Sequence, residues 1–496
     1  MTTSVLSKEQ LGHLRHWDNL SRLQKNDWSM MQTRSNGQEN SFSGYRFQLA
    51  YMIYGLALTH RHRLPAAPGV FQPTIQRLID KLLLPEVWLY WRDVSRGGSV
   101  LNDSIADRMT EEWNPVVRDN IMYSAYVQSC ALLHDHMFAA DRYAQPGSLT
   151  LRHWSFFWGG EEKRFEYDRN SLNEHLYWQM VENGYLGIAC EPNCVFQICN
   201  QPAILGFRLH DLLTGTDRAS EVVEGYEKAW ADFGRLDRLG HYNQMVIEDA
   251  QVVVAPSDVS PDAPMPWVDA WAGALMNMWN HDFVHEHYQT QVDDFLLTGP
   301  DGTLSVPSSP PPQAMGLTSD SESSDMGWVT IWASEMGDQS TLDGLLGHAD
   351  RFLEPTWRDA GLYYPRNDAK TDEHGNNVEN DPLTGNVLIG YARLNVADGL
   401  HKLYSQPWGA DHHAEPALVE VDRDVEVSRA EVVDGTLHAR LRRDTTLSGA
   451  GTVTLARLPK GARLRLNGVE ITEEAVDGLL VLQVPDGPAV DLVAAP

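Results

Sequence analysis

Cysteine is scarce in this chain, which has four cysteines among 496 residues. So few thiols exclude the disulfide framework of a small secreted domain. Basic residues are also few, since 39 Lys and Arg stand against 68 Asp and Glu, which gives a formal net charge of -29. This deficit argues against nucleic acid and anionic membranes as partners, because both are bound through positive charge.

Long apolar runs and targeting signals are missing as well. No stretch approaches the roughly 18 apolar residues that a membrane-spanning helix needs. The first ten residues contain no apolar segment of the kind found in secretion signals. We therefore expect a cytoplasmic protein with reduced thiols and no membrane partner.

The sequence does contain a repeated pattern, in which an apolar, helix-like stretch ends in a short polar turn. Units of this kind bury their apolar faces only by stacking on neighbours. The pattern predicts a mainly α fold, an (α/α)6 toroid over residues 1–410, in preference to an irregular helical bundle. The six predicted ends, with room for a second helix between them, are residues 54–60, 130–136, 206–215, 277–282, 333–338 and 397–403.

The pattern changes near residue 416, where short segments begin to alternate between apolar and polar residues. Gly, Asp and Pro turns separate these segments, which predicts a small antiparallel β domain over residues 411–496, similar to a sandwich. Two polar stretches, 305–324 and 367–381, are predicted to be surface loops. The predicted strands are residues 417–422, 436–442, 452–458, 463–468 and 479–484.

Three of the four cysteines, Cys190, Cys194 and Cys199, fall within ten positions. In a toroid this run would lie at the start of an inner helix, with Pro192 at a turn or first helical position and Cys199 about two turns inside. Helix N-termini stabilise thiolates, which favours a reactive site. The alternative is that the cysteines are small buried hydrophobic side chains. No metal site is expected, because the spacing differs from that of zinc ribbons and no His follows at finger spacing.

Large aromatic side chains and acids are predicted at the same end of the ring. The starts of other inner helices carry Phe47, Trp271 and Asp269, and Glu191 lies in the cysteine run. The histidine-rich turns at 60–62, 134–136 and 281–287 are interpreted as solvated residues at helix C-termini, where positive charge is favourable, rather than as metal ligands.

The run from Cys190 to Cys199, Cys-Glu-Pro-Asn-Cys-Val-Phe-Gln-Ile-Cys, resembles the catalytic segment of the linalool dehydratase-isomerase family. The resemblance extends in order from about Trp17 to Leu403 and leaves out the β domain. It implies an (α/α)6 barrel without a cofactor, a ring-shaped homo-oligomer with active sites at subunit contacts, and removal of water from a tertiary allylic alcohol. Further matching segments are residues 54–57, 120–123, 212–217, 266–267 and 335–339.

The resemblance also implies roles for single residues. Cys190 and Cys199 match the two active-site cysteines, Met122 and Phe196 match pocket positions, and Cys194 has no counterpart. The family's aspartate falls on Asp18, with Asp27 as the competing match.

Several polar groups of the family are replaced in this chain. The position of the active-site histidine holds Tyr126, and two pocket tyrosines fall on Trp271 and Phe47. We predict that the two matched cysteines transfer protons and that Asp18 or Tyr126 holds the hydroxyl group. Glu191 and the aromatic side chains are predicted to contact a small apolar alcohol or alkene.

Two other classes of function stay open at this point. One is a carbohydrate-active (α/α)6 enzyme, a glycoside hydrolase, lyase or epimerase, with Glu191 and Asp269 as candidate acids. Hydrolysis of this kind needs two carboxyl groups about 5–10 Å apart. The other class is a non-catalytic relative that uses the ring as a binding scaffold.

Overall fold

The computed structural model describes residues 5–32, 44–97, 109–154, 156–157, 160–260, 264–309, 324–473 and 475–496. The protein is helix-rich and carries a separate, small antiparallel sheet region. Within these ranges, no helix combines the length and the apolar character that crossing a bilayer requires. The helices are α1 Lys8–Arg22, α2 Tyr45–His62, α3 Pro68–Leu82, α4 Pro85–Trp88, α5 Trp91–Val94, α6 Ile121–Met137, α7 Arg169–Glu182, α8 Gln197–Thr214, α9 Arg218–Phe233, α10 Pro256–Val259, α11 Pro266–Met276, α12 His281–Asp293, α13 Asp325–Met336, α14 Gln339–Phe352, α15 Ile389–Leu394, α16 Gly399–Ser405 and α17 Ala410–Ala414.

Short strands connect the helices, and longer strands form the C-terminal sheets. A π-helical segment, Thr384–Leu388, leads directly into α15. The strands are β1 Leu149–His153, β2 Lys163–Tyr167, β3 Cys194–Phe196, β4 Met245–Ile247, β5 Val252–Val254, β6 Leu297–Thr298, β7 Leu304–Ser305, β8 Thr356–Arg358, β9 Gly361–Tyr363, β10 Ala417–Val421, β11 Val425–Val433, β12 Thr436–Arg443, β13 Thr452–Ala456, β14 Arg463–Leu466, β15 Val469–Ile471, β16 Leu479–Gln483 and β17 Val490–Ala495.

Six helices, called the ring helices here, contact one another in cyclic order: α2, α6, α8, α11, α13 and α15, with α15 returning to α2. Every residue of α6 and α11 is buried, and only two residues of α2 are not. A helix that is apolar on all sides must be enclosed by neighbours. The apolar stretches of the sequence are therefore central helices, and their ends lie close to the predicted turns.

Each ring helix is followed along the chain by a helix that is buried on one side only: α3, α7, α9, α12, α14 or α16. In α3 the buried positions Phe71, Ile75, Leu78 and Leu82 recur every three or four residues, as expected for one face of a helix. These helices pack against the ring helices from outside, and the prediction of a second helix in each interval is confirmed for α3, α7 and α9.

Small residues let two of the ring helices approach closely. At Gly206 in α8, an added Cβ would lie 2.3 Å from the side chain of Gln128 in α6. Gln128 is buried and donates from Nε2 to Asn173 Oδ1 at 2.8 Å, so it is held in place. The contact between α6 and α8 therefore depends on glycine at this position.

The C-terminal strands form two antiparallel sheets, ordered β10-β13-β16 and β11-β12-β17-β14-β15. Backbone hydrogen bonds tie them to the helices: Leu418 N–H donates to Ala66 O at 2.8 Å, and Ala66 N–H donates to Ala430 O at 3.1 Å. All five predicted strands are confirmed, whereas β11, β15 and β17 were not predicted. The domain boundary at residue 411 falls in α17 and stays a prediction.

The interpretation of the histidines as solvated helix ends is wrong. His60 and His134 do lie in the last turns of α2 and α6, but both are buried. His281, His285 and His287 lie in the first two turns of α12, because a new helix begins soon after α11 ends. Of the predicted loop at 305–324, residues 310–323 lie outside the described residues.

Candidate active site

The cysteine run folds into a turn, a short strand and the start of a ring helix. Cys190 N–H donates to Cys194 O at 2.9 Å, and Cys194 begins β3. Ring helix α8 begins only at Gln197, so Cys199 lies in its first turn rather than two turns inside. Pro192 lies in the turn, not at a first helical position. The strand was not predicted because three residues give no periodic signal.

Backbone strain at the start of α6 fixes the position of Cys190. Asp119 and Asn120 both have left-handed φ angles, 50° and 56°, which are unfavourable for residues other than glycine. Asn120 N–H donates to Cys190 O at 3.0 Å. The side chain of Asn120 accepts from Tyr90 Oη and donates to Pro115 O, which holds the strained conformation. Strain of this kind concentrates at functional sites.

The side chain of Cys190 lies close enough to the Cys199 thiol and the Glu191 carboxyl group to lower the pKa of both. Burial raises the pKa of Cys199, and the nearby Glu191 carboxylate adds to the rise. Burial also raises the pKa of Glu191, although Arg46 and Cys190 act against it. Burial thus shifts the pKa of both Cys199 and Glu191 upward, in the direction of their neutral forms.

Arg46 brings a buried positive charge to this cluster. It lies in the first turn of α2, and its Cζ atom is 4.0 Å from the ring centroid of Phe47 and 4.8 Å from that of Tyr90. Its charge lowers the pKa of both Glu191 and Cys199. Arg46 was not predicted as a site residue. An arginine at the start of an otherwise apolar helix is unusual, and this signal could have identified it.

An aromatic cluster adjoins the thiols and unites three predicted residues. The ring of Phe47 lies 5.9 Å from Tyr126 and 5.3 Å from Trp271, in edge-to-face contacts. Tyr51 accepts a hydrogen bond from Trp271 Nε1 and is hydrogen-bonded to Tyr126. Trp328 stacks on Trp271 at 4.1 Å. Tyr51 and Trp328 were not predicted as site residues.

The aromatic cluster lies close enough to the thiols for their charges to interact. A negative charge on Cys199 raises the pKa of Tyr51 and of Tyr126, so the three groups are close enough to interact. Burial is the main cause of both tyrosine shifts, and each phenol stays protonated at neutral pH. Phe196 lies within the cysteine run, directly before α8, and Met122 lies in the first turn of α6; they keep 6% and 7% of their surface exposed.

Asp18 lies in a different environment from the other predicted residues. Its carboxylate accepts from Arg77 at 2.6 Å and Arg22 at 2.8 Å, and Arg423 of the C-terminal sheet region lies 3.7 Å away. In the described part of the chain, no group of the thiol cluster is a partner of Asp18. The competing residue, Asp27, is partly exposed and accepts from Ser29 N–H.

The acid predicted from α11 is also engaged elsewhere. Asp269 accepts from His241 Nδ1 and from Tyr242 N–H, which holds the loop before β4 against α11. Over the ranges described, three metal-ligating atoms approach one another at His281, His285 and Asp398, and not at the cysteine run.

Several solved structures align with this chain at low similarity. An alpha-1,6-mannanase from Salegentibacter sp. HEL1_6 is 12% identical over 80% of this chain and 99% of that chain, with a TM-score of 0.40. An unsaturated glucuronyl hydrolase from Streptococcus agalactiae is 9% identical over 82% of this chain and 94% of that chain, with a TM-score of 0.41.

A sequence model of a known family matches residues 46–370. This range begins at Arg46 and includes the cysteine run, Glu191 and all five members of the aromatic cluster. The description of that family is linalool dehydratase/isomerase. The chain therefore belongs to the linalool dehydratase/isomerase family.

Proposed function

We propose that this protein is a cofactor-independent dehydratase or isomerase of a small allylic, terpenoid-like alcohol. We also propose that the ring helices and their outer partners form an (α/α)6 toroid around the site. The observation that carries the proposal is the contact of the Cys190 thiol with both Cys199 and Glu191, beside the aromatic cluster.

Removal of water from a tertiary alcohol needs two proton transfers: one to the leaving hydroxyl group and one from a neighbouring carbon. Glu191 suits the first transfer, because burial raises the pKa of its carboxyl group above the usual value and so favours the proton-carrying form. The oxygen takes the proton as the C–O bond breaks, which leaves an allylic cation, water and a carboxylate. Arg46 stabilises that carboxylate by its charge.

The second proton transfer, from a carbon of the substrate, returns to the protein the proton that Glu191 gave to the leaving hydroxyl group. The carbon beside the cation loses a proton to the Glu191 carboxylate by relay through the Cys190 and Cys199 thiols, each of which takes up one proton as it gives up another, and a diene forms. The protein then holds as many protons as before. If water returns at the other end of the allylic cation instead, the product is the isomeric alcohol.

The aromatic cluster supports the charged intermediate of this scheme. The faces of Phe47 and Trp271 carry negative partial charge and attract a cation without reacting with it. Burial of these rings also keeps bulk water away from the cation. The hydroxyl groups of Tyr51 and Tyr126 are neutral donors that we propose hold the substrate hydroxyl in place of the family histidine.

Glycoside hydrolysis is less well supported by the contacts at the site. Of the two acids predicted there, Glu191 contacts Cys190, whereas Asp269 is bound to His241 and Tyr242. A hydrolase needs two carboxyl groups free to act on either side of the glycosidic bond. Glycosides therefore belong in the test as competing substrates.

The test is the activity of Cys190→Ala and Cys199→Ala toward tertiary allylic alcohols, with product dienes measured by gas chromatography. Each change is expected to lower kcat/KM by at least about 100-fold, because general acid–base groups contribute about 10²–10⁴. Cys130→Ala is the matched control, since Cys130 is a buried thiol of α6 bonded to Ser129. Full activity of both site variants, or turnover of glycosides alone, would contradict the proposal.

A further inference from the structure

Two histidines and one aspartate meet where α12 begins and α16 begins. His281 and His285 lie one helical turn apart on α12, with ring centroids 4.1 Å apart. The Nε2 atoms of both rings lie 3.2 Å from Oδ1 of Asp398. The three candidate ligand atoms all lie within 4.8 Å of one another. They come from segments more than 100 residues apart in the chain, which folding alone has brought together.

The distances from the two Nε2 atoms to Asp398 Oδ1 match the spacing between two ligands of one metal ion. Two ligands bound tetrahedrally at about 2.0 Å from a zinc ion lie about 3.3 Å apart. The measured 3.2 Å from each Nε2 to the carboxylate oxygen agrees with that value. The side chains are each about one third exposed, at 33%, 35% and 28%, so an ion can reach them from solvent.

A further carboxylate supports the candidate site from outside. His281 Nδ1 lies 3.3 Å from the carboxylate of Asp282, while its Nε2 atom faces Asp398. Carboxylates bonded to the second nitrogen of a ligating histidine are the usual support of metal sites.

A third imidazole packs beside the three ligand atoms. The ring centroid of His401 lies 4.6 Å from that of His281, and His401 Nδ1 donates to Met278 O at 3.2 Å. The group of mutually close ligand atoms consists of His281, His285 and Asp398. Two imidazoles and one carboxylate, with water at the remaining position, make a donor set that suits zinc.

Asp398 is held in an uncommon backbone conformation. Its φ angle is 55°, in the left-handed region that favours glycine, yet the glycine of this turn is the next residue, Gly399. Asp398 N–H donates to Glu335 O at 2.7 Å, and Asn277 Nδ2 donates to Asp398 Oδ1 at 3.2 Å. The carboxylate is thus positioned toward the histidines before any ion arrives.

We propose that His281, His285 and Asp398, with water as the remaining ligand, bind one zinc-like divalent transition metal ion that joins the start of α12 to the start of α16. The sequence predicted no metal, so this inference departs from that expectation. The site follows the C-terminal ends of α11 and α15, whereas the thiols lie at the N-terminal end of α8. Its role is therefore to fix the outer helices, independently of the proposed chemistry.

The experiment uses the full-length protein after treatment with a chelator and dialysis. Addition of ZnCl2 is expected to raise Tm by several degrees, because a ligand that binds only the folded state stabilises it. Inductively coupled plasma mass spectrometry after gel filtration should give one zinc ion per chain. MgCl2 should have no effect, since Mg²⁺ prefers oxygen ligands.

Single substitutions test whether the zinc ion binds at the proposed residues. His285→Ala and Asp398→Asn should lose both the zinc and the Tm increase, whereas Cys190→Ala should keep both. His287→Ala is the matched control on the same helix, because His287 Nδ1 is bonded to Phe283 O. If a site variant fails to fold, the Co²⁺ absorption spectrum of the unaltered protein decides: tetrahedral bands without thiolate charge transfer are expected. Zinc retained by a folded His285→Ala variant, binding well below one equivalent, or a thiolate band would overturn the proposal.

Discussion

Burial and the charge of Arg46 shift the pKa of Cys199 and of Glu191 in opposite directions. Burial favours the neutral forms of Cys199 and Glu191, and Arg46 opposes that effect for both. Because Arg46 is itself packed on Phe47 and Tyr90, its charge cannot move away to solvent. The net result is a raised pKa for both groups, which suits them to give protons rather than only to take them.

The change Glu191→Gln tests whether the Glu191 carboxyl group donates the proton to the leaving hydroxyl group. It should lower kcat/KM for the allylic alcohol by about 100-fold or more, because the amide cannot donate the proton that the leaving hydroxyl needs. Activity of the unaltered protein should be present below the pKa of Glu191 and lost as pH rises through it. Since burial raises that pKa, the loss should begin above the usual range of glutamate.

Steady-state kinetics across a pH series measures both effects. The matched control is Glu224→Gln in α9, whose side chain is not among the residues of the site. The variant Glu191→Gln should also lack the alkaline loss. An unchanged pH profile in Glu191→Gln would show that another group supplies the proton.

At the scale of helices and strands, the sequence predicted the ring helices well because they are apolar on all sides. The stretches that end at 54–60 and 130–136 correspond to α2 and α6, which end at His62 and Met137. The strand β11 was missed because a register shift between Val427 and Arg429 breaks the alternation of apolar and polar residues. A bulge of this kind hides a strand from a period-two pattern.

The dependence on sequence patterns also explains which site residues could be predicted. Cys190 and Cys199 were singled out because their spacing is unusual, and the side chain of Cys190 lies near enough to Cys199 to lower its pKa. Their role in catalysis stays a prediction. Arg46 and Tyr51 were missed because one residue of an ordinary type carries no spacing signal. Which residues face one another across a ring of helices depends on helix rotation, which a single sequence does not fix.

The change Gly206→Ala tests the close contact between two ring helices. It should lower the free energy of unfolding by about 1–3 kcal/mol, because the new methyl group would overlap Gln128, which is buried and bonded to Asn173. Chemical denaturation followed by circular dichroism measures the change. Gly409→Ala is the control, since no atom lies within 4 Å of an added Cβ there and its φ is −99°. Equal stability of the two variants would contradict the packing argument.

At the scale of the whole molecule, the N-terminal helix connects the helical part to the C-terminal sheets. Leu6 N–H donates to Ser428 O at 2.9 Å, and Arg423 donates to Asn19 Oδ1 at 2.9 Å. Asp18 lies at the centre of this region, between arginines of α1, α3 and the loop before β11. These contacts indicate that Asp18 contributes to the packing of α1 and α3 against the sheets, and the catalytic role that the resemblance implies for it stays a prediction. The homo-oligomer implied by the family resemblance stays a prediction, which native mass spectrometry tests as a multiple of 55.8 kDa.

The change Asp18→Asn separates a role in stability from a role in catalysis. It should lower the free energy of unfolding at neutral pH by about 1–3 kcal/mol, because several partly buried arginines lose their common carboxylate. Burial alone raises the pKa of Asp18, but Arg22, Arg77 and Arg15 outweigh it and hold the pKa below its usual value. The stabilisation is therefore present above the unfolded pKa and lost as pH falls through the folded one.

Denaturation of the variant and the unaltered protein should accordingly converge on acidification, while kcat for the allylic alcohol should change less than about threefold at neutral pH. Asp343→Asn is the control, because Asp343 is exposed on α14 and its carboxylate accepts from Gln339 of the same helix. A catalytic aspartate would give the opposite result: a loss of kcat of about 100-fold with stability unchanged. That outcome would place Asp18 in the reaction, as the family resemblance implies, and would require the arginine cluster to open when substrate binds.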